Sequence, residues 1–182
     1  MRRRLVALGA RCEHPACLER NWVLDRSGLP PAAGVDLLAS GQLLRLREDG
    51  RGARLTYKGE ARYEGETGAV KVREEREVGL GDRGEMLAIL LALGYRVVRR
   101  YEKRREEWRL ERASIALDQT PLGSFVEVEG GDPEGVSRAL GIDPARAVRA
   151  SYLALWEDHR RAHPQAAADM LFAEEPDAVS GA

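Results

Sequence analysis

Lysine and arginine recur two residues apart in this sequence, a spacing that puts both side chains on one face of a β-strand. Arg45 and Arg47 oppose Leu44 and Leu46, and Arg54, Thr56 and Lys58 oppose Leu55 and Tyr57. Lys103 and Arg105 share a face with Tyr101. The acids obey the same rule: Asp118 opposes Leu117, while Glu127 and Glu129 oppose Val126 and Val128. Arginine's planar fork and lysine's compact charge are suited to gripping anions. Carboxylates on adjoining strands suit hard divalent cations such as Mg²⁺ and Mn²⁺. Gathered in one cavity, the two sets would be the equipment for a metal-bound polyphosphate.

Whether they are gathered depends on the sheet. The stretch VKVREEREV, 70–78, reads as one strand with charge on both faces: Lys71, Arg73, Glu75 and Glu77 on one, Val72, Glu74, Arg76 and Val78 on the other. Two architectures accommodate the pattern. Charged faces can simply be the solvated side of an ordinary antiparallel sheet. Alternatively, the sheet curls into a barrel with a polar lumen, which gives the inner face a purpose and removes exposed edges. A lumen of bases repels itself unless an anion binds there, so the second architecture carries a function with it.

Composition narrows the classes. The chain has 182 residues, a length that suits one domain. Lys and Arg number 29 against 30 Asp and Glu, so the net charge is −1 although 32% of residues are charged. That balance argues against a nucleic-acid polymer as partner, which would select a basic excess. Two cysteines, Cys12 and Cys17, build no disulfide framework and fit a reducing cytoplasm. His14 between them imitates a zinc motif, but a second ligand pair is missing. MRRRLVALGA imitates a signal peptide, yet its apolar run is short and broken by Gly9. No stretch approaches the roughly 20 apolar residues of a membrane span. The expectation is a cytoplasmic protein without a membrane partner.

The elements that must position these residues follow from periodicity and punctuation. Residues 2–8 read as the end of a helix closed by Gly9, and 18–27 as a strand ending in a turn. Strands are predicted at 42–48, 53–59 and 70–78, then an amphipathic helix over 81–95 closed by Gly94. Residues 96–111 read as a strand and part of its hairpin partner, followed by strands at 113–120 and 123–130. Asp132-Pro133 opens a short helix to Leu140, and Asp143-Pro144 a longer one to about His163. Residues 1–163 are then one domain and 164–182 a loosely ordered tail. LVALGAR (5–11) and LLALGYR (90–96) are nearly the same phrase, each ending a helix and leading into a strand, as two related halves would.

The ordered set LLRLRE, LTYKG, KVREEREV, YEKRRE, ALDQTPLGSFVEVEG and ASYLALW, over roughly residues 5–156, resembles the CYTH or triphosphate tunnel metalloenzyme family. The resemblance implies an α+β fold: an antiparallel eight-stranded β-barrel, the triphosphate tunnel, flanked by helices. It implies metal-dependent hydrolysis of a triphosphate with Mg²⁺ or Mn²⁺, on a small molecule that carries the triphosphate. Two alternatives stand beside it, a class IV adenylate cyclase and a non-catalytic polyphosphate or nucleotide sensor. A homodimer is compatible with any of the three.

Carried over residue by residue, the resemblance makes Arg45, Arg47, Lys58, Arg73, Lys103 and Arg105 the triphosphate ligands, with Arg149 reaching the tunnel from just before the late Ser-Tyr. Glu75, Glu77 and Lys103 fall in the catalytic set, and Glu127, Glu129 and Asp118 in the metal set. One departure stands out. The family's N-terminal strand of alternating Glu, Glu and Lys has no counterpart. The sequence opens on MRRRLVALGAR, which aligns with the helix that normally follows it. A barrel short of its first strand is therefore expected, through a late start or a lost motif.

Overall fold

Two fifteen-residue strands, β1 (Arg11–Asp25) and β7 (Arg96–Leu110), pair antiparallel and form the spine of the molecule in a computed structural model that describes residues 1–26, 36–65, 68 and 70–173. Each strand is launched the same way. Helix α1 (Arg2–Ala7) ends at Gly9 with φ 80°, and α2 (Arg83–Ala92) ends at Gly94 with φ 87°, a left-handed conformation that glycine adopts without steric cost. Behind each glycine the chain turns back on the helix, Ala10 N–H donating to Leu5 O at 2.9 Å and Tyr95 N–H to Leu90 O at 3.0 Å. The twin phrases LVALGAR and LLALGYR are thus twin structures, and the strands they start are neighbours.

The sheet grows outward from this pair. On one side come β2 (Leu43–Asp49), β3 (Gly52–Lys58) and β6 (Glu75–Leu80). On the other come β8 (Ala113–Thr120) and β9 (Gly123–Glu129). The order is β6-β3-β2-β1-β7-β8-β9, all antiparallel. A separate hairpin pairs β4 (Arg62–Glu64) with β5 (Val70–Val72). The α+β class holds. So does the antiparallel sheet expected to be one strand short of eight, but it is not closed: among the described residues there are seven strands in the main sheet, with β6 and β9 at its edges.

Apolar side chains sort by face. Trp108, Ala113 and Ile115 pack with Leu5 of α1 and with Leu140, which caps α3 (Pro133–Ala139). Leu24, Leu44 and Leu46 pack with Leu90 of α2. These two clusters cover the outer face, and each fully buried Leu or Ile in them is worth about 1.5–3 kcal/mol. The third cluster lies on the opposite face, where Val23, Tyr101 and Leu43 meet Trp156 of α4 (Tyr152–Ala162) and Met170. The charged side therefore has an apolar plug at one end.

Five expected segments differ. Residues 70–78 are two strands, β5 and β6, broken at Arg73-Glu74, where Glu74 O accepts from Gly59 N–H rather than continuing a ladder. Residues 96–111 are one strand and not a strand with part of a hairpin; β1 likewise begins at Arg11, seven residues before its predicted start at 18. The helix expected over 144–163 is a 3-10 turn at Pro144–Arg146, an extended step at Ala147 and a fresh start at Ser151, whose hydroxyl accepts from Ala154 N–H. Residues 164–173 are docked, not loose. Met170 is 1% exposed, bridges Tyr101 in parallel, and Asp169 Oδ2 accepts from Arg100 Nε at 2.7 Å. Residues 174–182 of the predicted tail lie outside the described residues.

Candidate anion-binding face

Register decides which charges meet. On β1 the charged-side residues are Glu19, Asn21 and Val23, opposite Lys103, Tyr101 and Arg99 of β7. Across the other edge Asn21 faces Arg47 and Val23 faces Arg45; those two arginines face Arg54 and Thr56, and Thr56 and Lys58 face Glu77 and Glu75. Beyond β7, Arg105 faces Asp118, and Ala116 faces Glu127. The alternation read from the sequence is thereby converted into one continuous polar face.

That face is largely dry. Lys103, Arg47 and Arg45 are 2%, 7% and 8% exposed. The sheet curls around it far enough for charges from both sides to feel one another. Arg105 opposes the charge of Arg45, and on β5 burial and Arg73 lower the Lys71 ammonium, with Glu75 and, from β9, Glu127 offsetting them only in part. The β4–β5 hairpin reaches the far side, with Tyr63 Oη donating to Arg149 O at 3.1 Å. A cleft of about 340 Å³ lined by Arg51, Arg54, Glu77 and Gly79 opens beside the β2–β3 turn, at the opposite end of those strands from the α4 plug.

Five predicted bases, Arg45, Arg47, Lys58, Lys103 and Arg105, converge on this face. Arg45 donates to Tyr101 Oη at 3.0 Å, and its Nε has no hydrogen-bond partner among the described residues. Arg47 lies 3.2 Å from Glu77 and 3.7 Å from Glu19, and its Nε is likewise unpartnered there. Burial lowers the Lys58 ammonium, Arg45 lowers it further, and Glu75 at 2.6 Å opposes them. Arg73 joins this end through Glu75 at 3.4 Å. The Arg149 guanidinium lies over the Tyr63 ring, 6.0 Å from the centroid.

The acids divide in the same way. Asp118 is 2% exposed and takes both prongs of the Arg105 fork at 2.7 and 2.6 Å, with Lys103 at 3.1 Å and the Tyr152 hydroxyl at 2.8 Å. Glu127 also meets Arg105 Nη2. Burial pushes the Glu127 carboxyl up, but Arg105 and Lys103 more than offset this and hold it at about 2. The same two carboxylates, after burial, push the Tyr152 phenol well above its ordinary value, so it stays a proton donor. Glu77 is held below the usual carboxylate range because Thr56, Arg47 and Arg54 outweigh burial. Glu129 ends β9 exposed and apart.

A metal fits poorly here. Among the described residues no three of His, Cys, Asp and Glu are placed to hold an ion, and Asp118 and Glu127 converge on Arg105 instead. The Cys12–His14–Cys17 trio sits on β1 with register breaks between its members and forms no such group.

Two residues escaped the sequence reading. Glu19 is 1% exposed, 3.7–4.0 Å from Arg47, Lys103 and Arg105, and its alternation with Asn21 and Val23 against Leu18 and Trp22 was the available signal. Tyr152 carries no local signal of its own, since its role comes from the fresh helix start at Ser151.

Comparison with known proteins agrees with this geometry. A model of the CYTH domain matches residues 32–142, more than half of the chain. Among solved structures, the PH1819 protein of Pyrococcus horikoshii OT3 is 24% identical, with a TM-score of 0.65 over 87% of this chain and 92% of that one. An adenylate cyclase-like protein of Vibrio parahaemolyticus is 15% identical, with a TM-score of 0.66 over 86% and 92%. HpAC1 of Hippeastrum, an adenylyl cyclase candidate described as having a dominant triphosphatase activity, is 16% identical, with a TM-score of 0.59 over 85% and 88%. At these identities the likeness is one of fold. No curated protein matches the chain.

Proposed function

The chain belongs to the CYTH family, and on that premise we propose that it binds a triphosphate on the charged face of its sheet and hydrolyses it. Members of the family act on triphosphates and in general depend on a metal. The observation that carries the proposal is the convergence of Arg45, Arg47, Lys58, Lys103 and Arg105 from three strands onto one dry face, with guanidinium nitrogens of Arg45 and Arg47 left over to donate. A buried, under-satisfied base is a standing cost unless a ligand takes up its hydrogen bonds.

Phosphoryl transfer requires alignment and charge neutralisation more than covalent chemistry from the protein. Arg45 and Arg47 present forks to the phosphate oxygens, Lys58 and Arg73 extend the grip toward β6, and Lys103 and Arg105 neutralise charge from the other side. Glu75 and Glu77 are the carboxylates nearest the phosphates. Glu77, held low by Arg47 and Arg54, orients these bases; Glu75, exposed beside Lys58, takes the proton of the attacking water. No step runs through Mg²⁺ or Mn²⁺, because Asp118 and Glu127, two of the three acids named for a metal, are already engaged by Arg105. That engagement favours a second reading, a triphosphate-binding protein without turnover. Phosphate release from tripolyphosphate, ATP and thiamine triphosphate separates the two: turnover on one of them, lost in Arg47→Ala, supports the enzyme, and saturable binding with no release supports the sensor. Neither binding nor release would end the triphosphate reading.

A further inference from the structure

Tyr101 stands among the bases without carrying a charge. From β7 it reaches past β1 to Arg45 on β2, whose Nη1 donates to the phenol oxygen at 3.0 Å. The residue is 5% exposed and firmly seated. Its ring packs with Val23, Trp156 and Met170. The backbone on either side of it is pinned to one partner: Met170 N–H donates to Arg100 O at 3.0 Å, and Glu102 N–H donates to Met170 O at 2.9 Å. Such a seat fixes where the phenol oxygen lies.

Counting hydrogens then decides what that oxygen can do. A phenol has one hydrogen to donate and lone pairs to accept with, whereas a guanidinium only donates. The contact with Arg45 therefore uses a lone pair of Tyr101 and leaves its hydrogen unspent. Nothing takes that hydrogen among the described residues; the buried acceptors of the adjoining strand β1, Asn21 Oδ1 and both Glu19 oxygens, have no hydrogen-bond partner there either. A buried hydroxyl without an acceptor costs free energy, and Arg45 Nε is in the same state. Two buried donors on one residue pair, one neutral and one charged, call for an acceptor that brings no hydrogen of its own. An ionised phosphate oxygen is such an acceptor.

We infer that Tyr101 is a further ligand of the triphosphate, its O–H donating to phosphate at the plugged end of the face while Arg45 grips the same group. The inference rests on the triphosphate reading and adds to it a neutral ligand that the five converging bases do not include.

Tyr101→Phe deletes the hydroxyl and keeps the ring in its packing. Titrated with inorganic tripolyphosphate in chelator, the variant should bind about tenfold more weakly than wild type, the loss expected for one hydrogen bond to a charged group. Circular dichroism checks that it is folded. A weaker affinity would also follow if the hydroxyl only steadied Arg45, so a second readout on the intact protein separates donation from support. A phenol that donates to an anion absorbs at longer wavelength. Tripolyphosphate should therefore give wild-type protein a near-ultraviolet tyrosine difference spectrum that Tyr101→Phe lacks. Equal affinity of the two proteins overturns the inference and leaves the triphosphate reading intact. So does wild-type binding without that spectrum, or a spectrum that survives in Tyr101→Phe. Wild-type protein that binds no tripolyphosphate strikes the triphosphate reading itself, and this inference with it.

Discussion

Arg47 on β2 and Arg105 on β7 sit on the same face, both largely buried, yet their surroundings differ. Arg105 spends its fork on Asp118 and its remaining contacts on Glu127 and Glu19. Arg47 has one contact at hydrogen-bond distance, Glu77 at 3.2 Å, and a buried Nε without a partner among the described residues. The difference runs through both walls. On β7–β9 buried Asp118 holds the bases, with Glu127, its side chain 35% exposed, closing on Arg105; on β2, β3 and β6 the bases are buried while Glu75 and Glu77 stand at the edge with side chains 46% and 37% exposed. One wall is satisfied by itself, and the other is unfinished. An incoming anion gains most on the unfinished wall, whereas the satisfied wall contributes rigidity and opens only against its own ion pairs.

The largest effect should separate the walls by stability. Asp118→Asn leaves Lys103 and Arg105 buried against too little negative charge and should cost about 3–5 kcal/mol. Glu75→Gln, at an exposed pair, should cost less than about 1 kcal/mol. Urea midpoints of the two variants check this, and equal losses would erase the distinction. Next in size is affinity. Arg47→Ala removes charge-assisted donors worth about 1.5–3 kcal/mol, so tripolyphosphate binding measured by calorimetry should weaken by about tenfold or more.

A smaller effect lies in acid. The Glu127 carboxyl is at about 2 in the folded protein against 4.5 for the free side chain. A depressed carboxyl stabilises the fold fully above its unfolded value, and that contribution fades as pH falls from about 4.5 toward 2. Glu127→Gln should therefore lower the melting temperature at neutral pH, where that contribution is complete, and flatten the fall across that window so that the two proteins converge toward pH 2. The smallest effect is a gain: Glu75→Gln frees Lys58 and Arg73 and should tighten tripolyphosphate two- to threefold.

Much of this face was legible before any coordinates. Period-two alternation placed Arg45, Arg47, Lys58, Lys103, Arg105, Asp118 and Glu127 on one side because the strand pleat enforces it, and Gly9 and Gly94 marked the helix ends because only left-handed backbone turns the chain there. What stayed hidden depends on contacts distant in sequence. That Asp118 and Glu127 hold Arg105 follows from the β7–β8–β9 register, which no single strand encodes. Residues 164–173 read as loose because their anchor, Met170 against Tyr101 and Trp156, joins chain segments far apart. The break at Arg73-Glu74 was masked by an unbroken run of charge, and the contact of Arg149 with the Tyr63 ring joins segments far apart in sequence.

The most direct measurement is a calorimetric titration of inorganic tripolyphosphate, in chelator, into the wild-type protein and into Arg45→Ala/Arg47→Ala, with orthophosphate as control ligand. Saturable binding at one site per chain, much tighter than for orthophosphate and lost in the double variant while its circular dichroism stays native, is the expected result. Binding that survives the double variant, or no preference for the triphosphate over orthophosphate, would contradict the claim that this face is a triphosphate site.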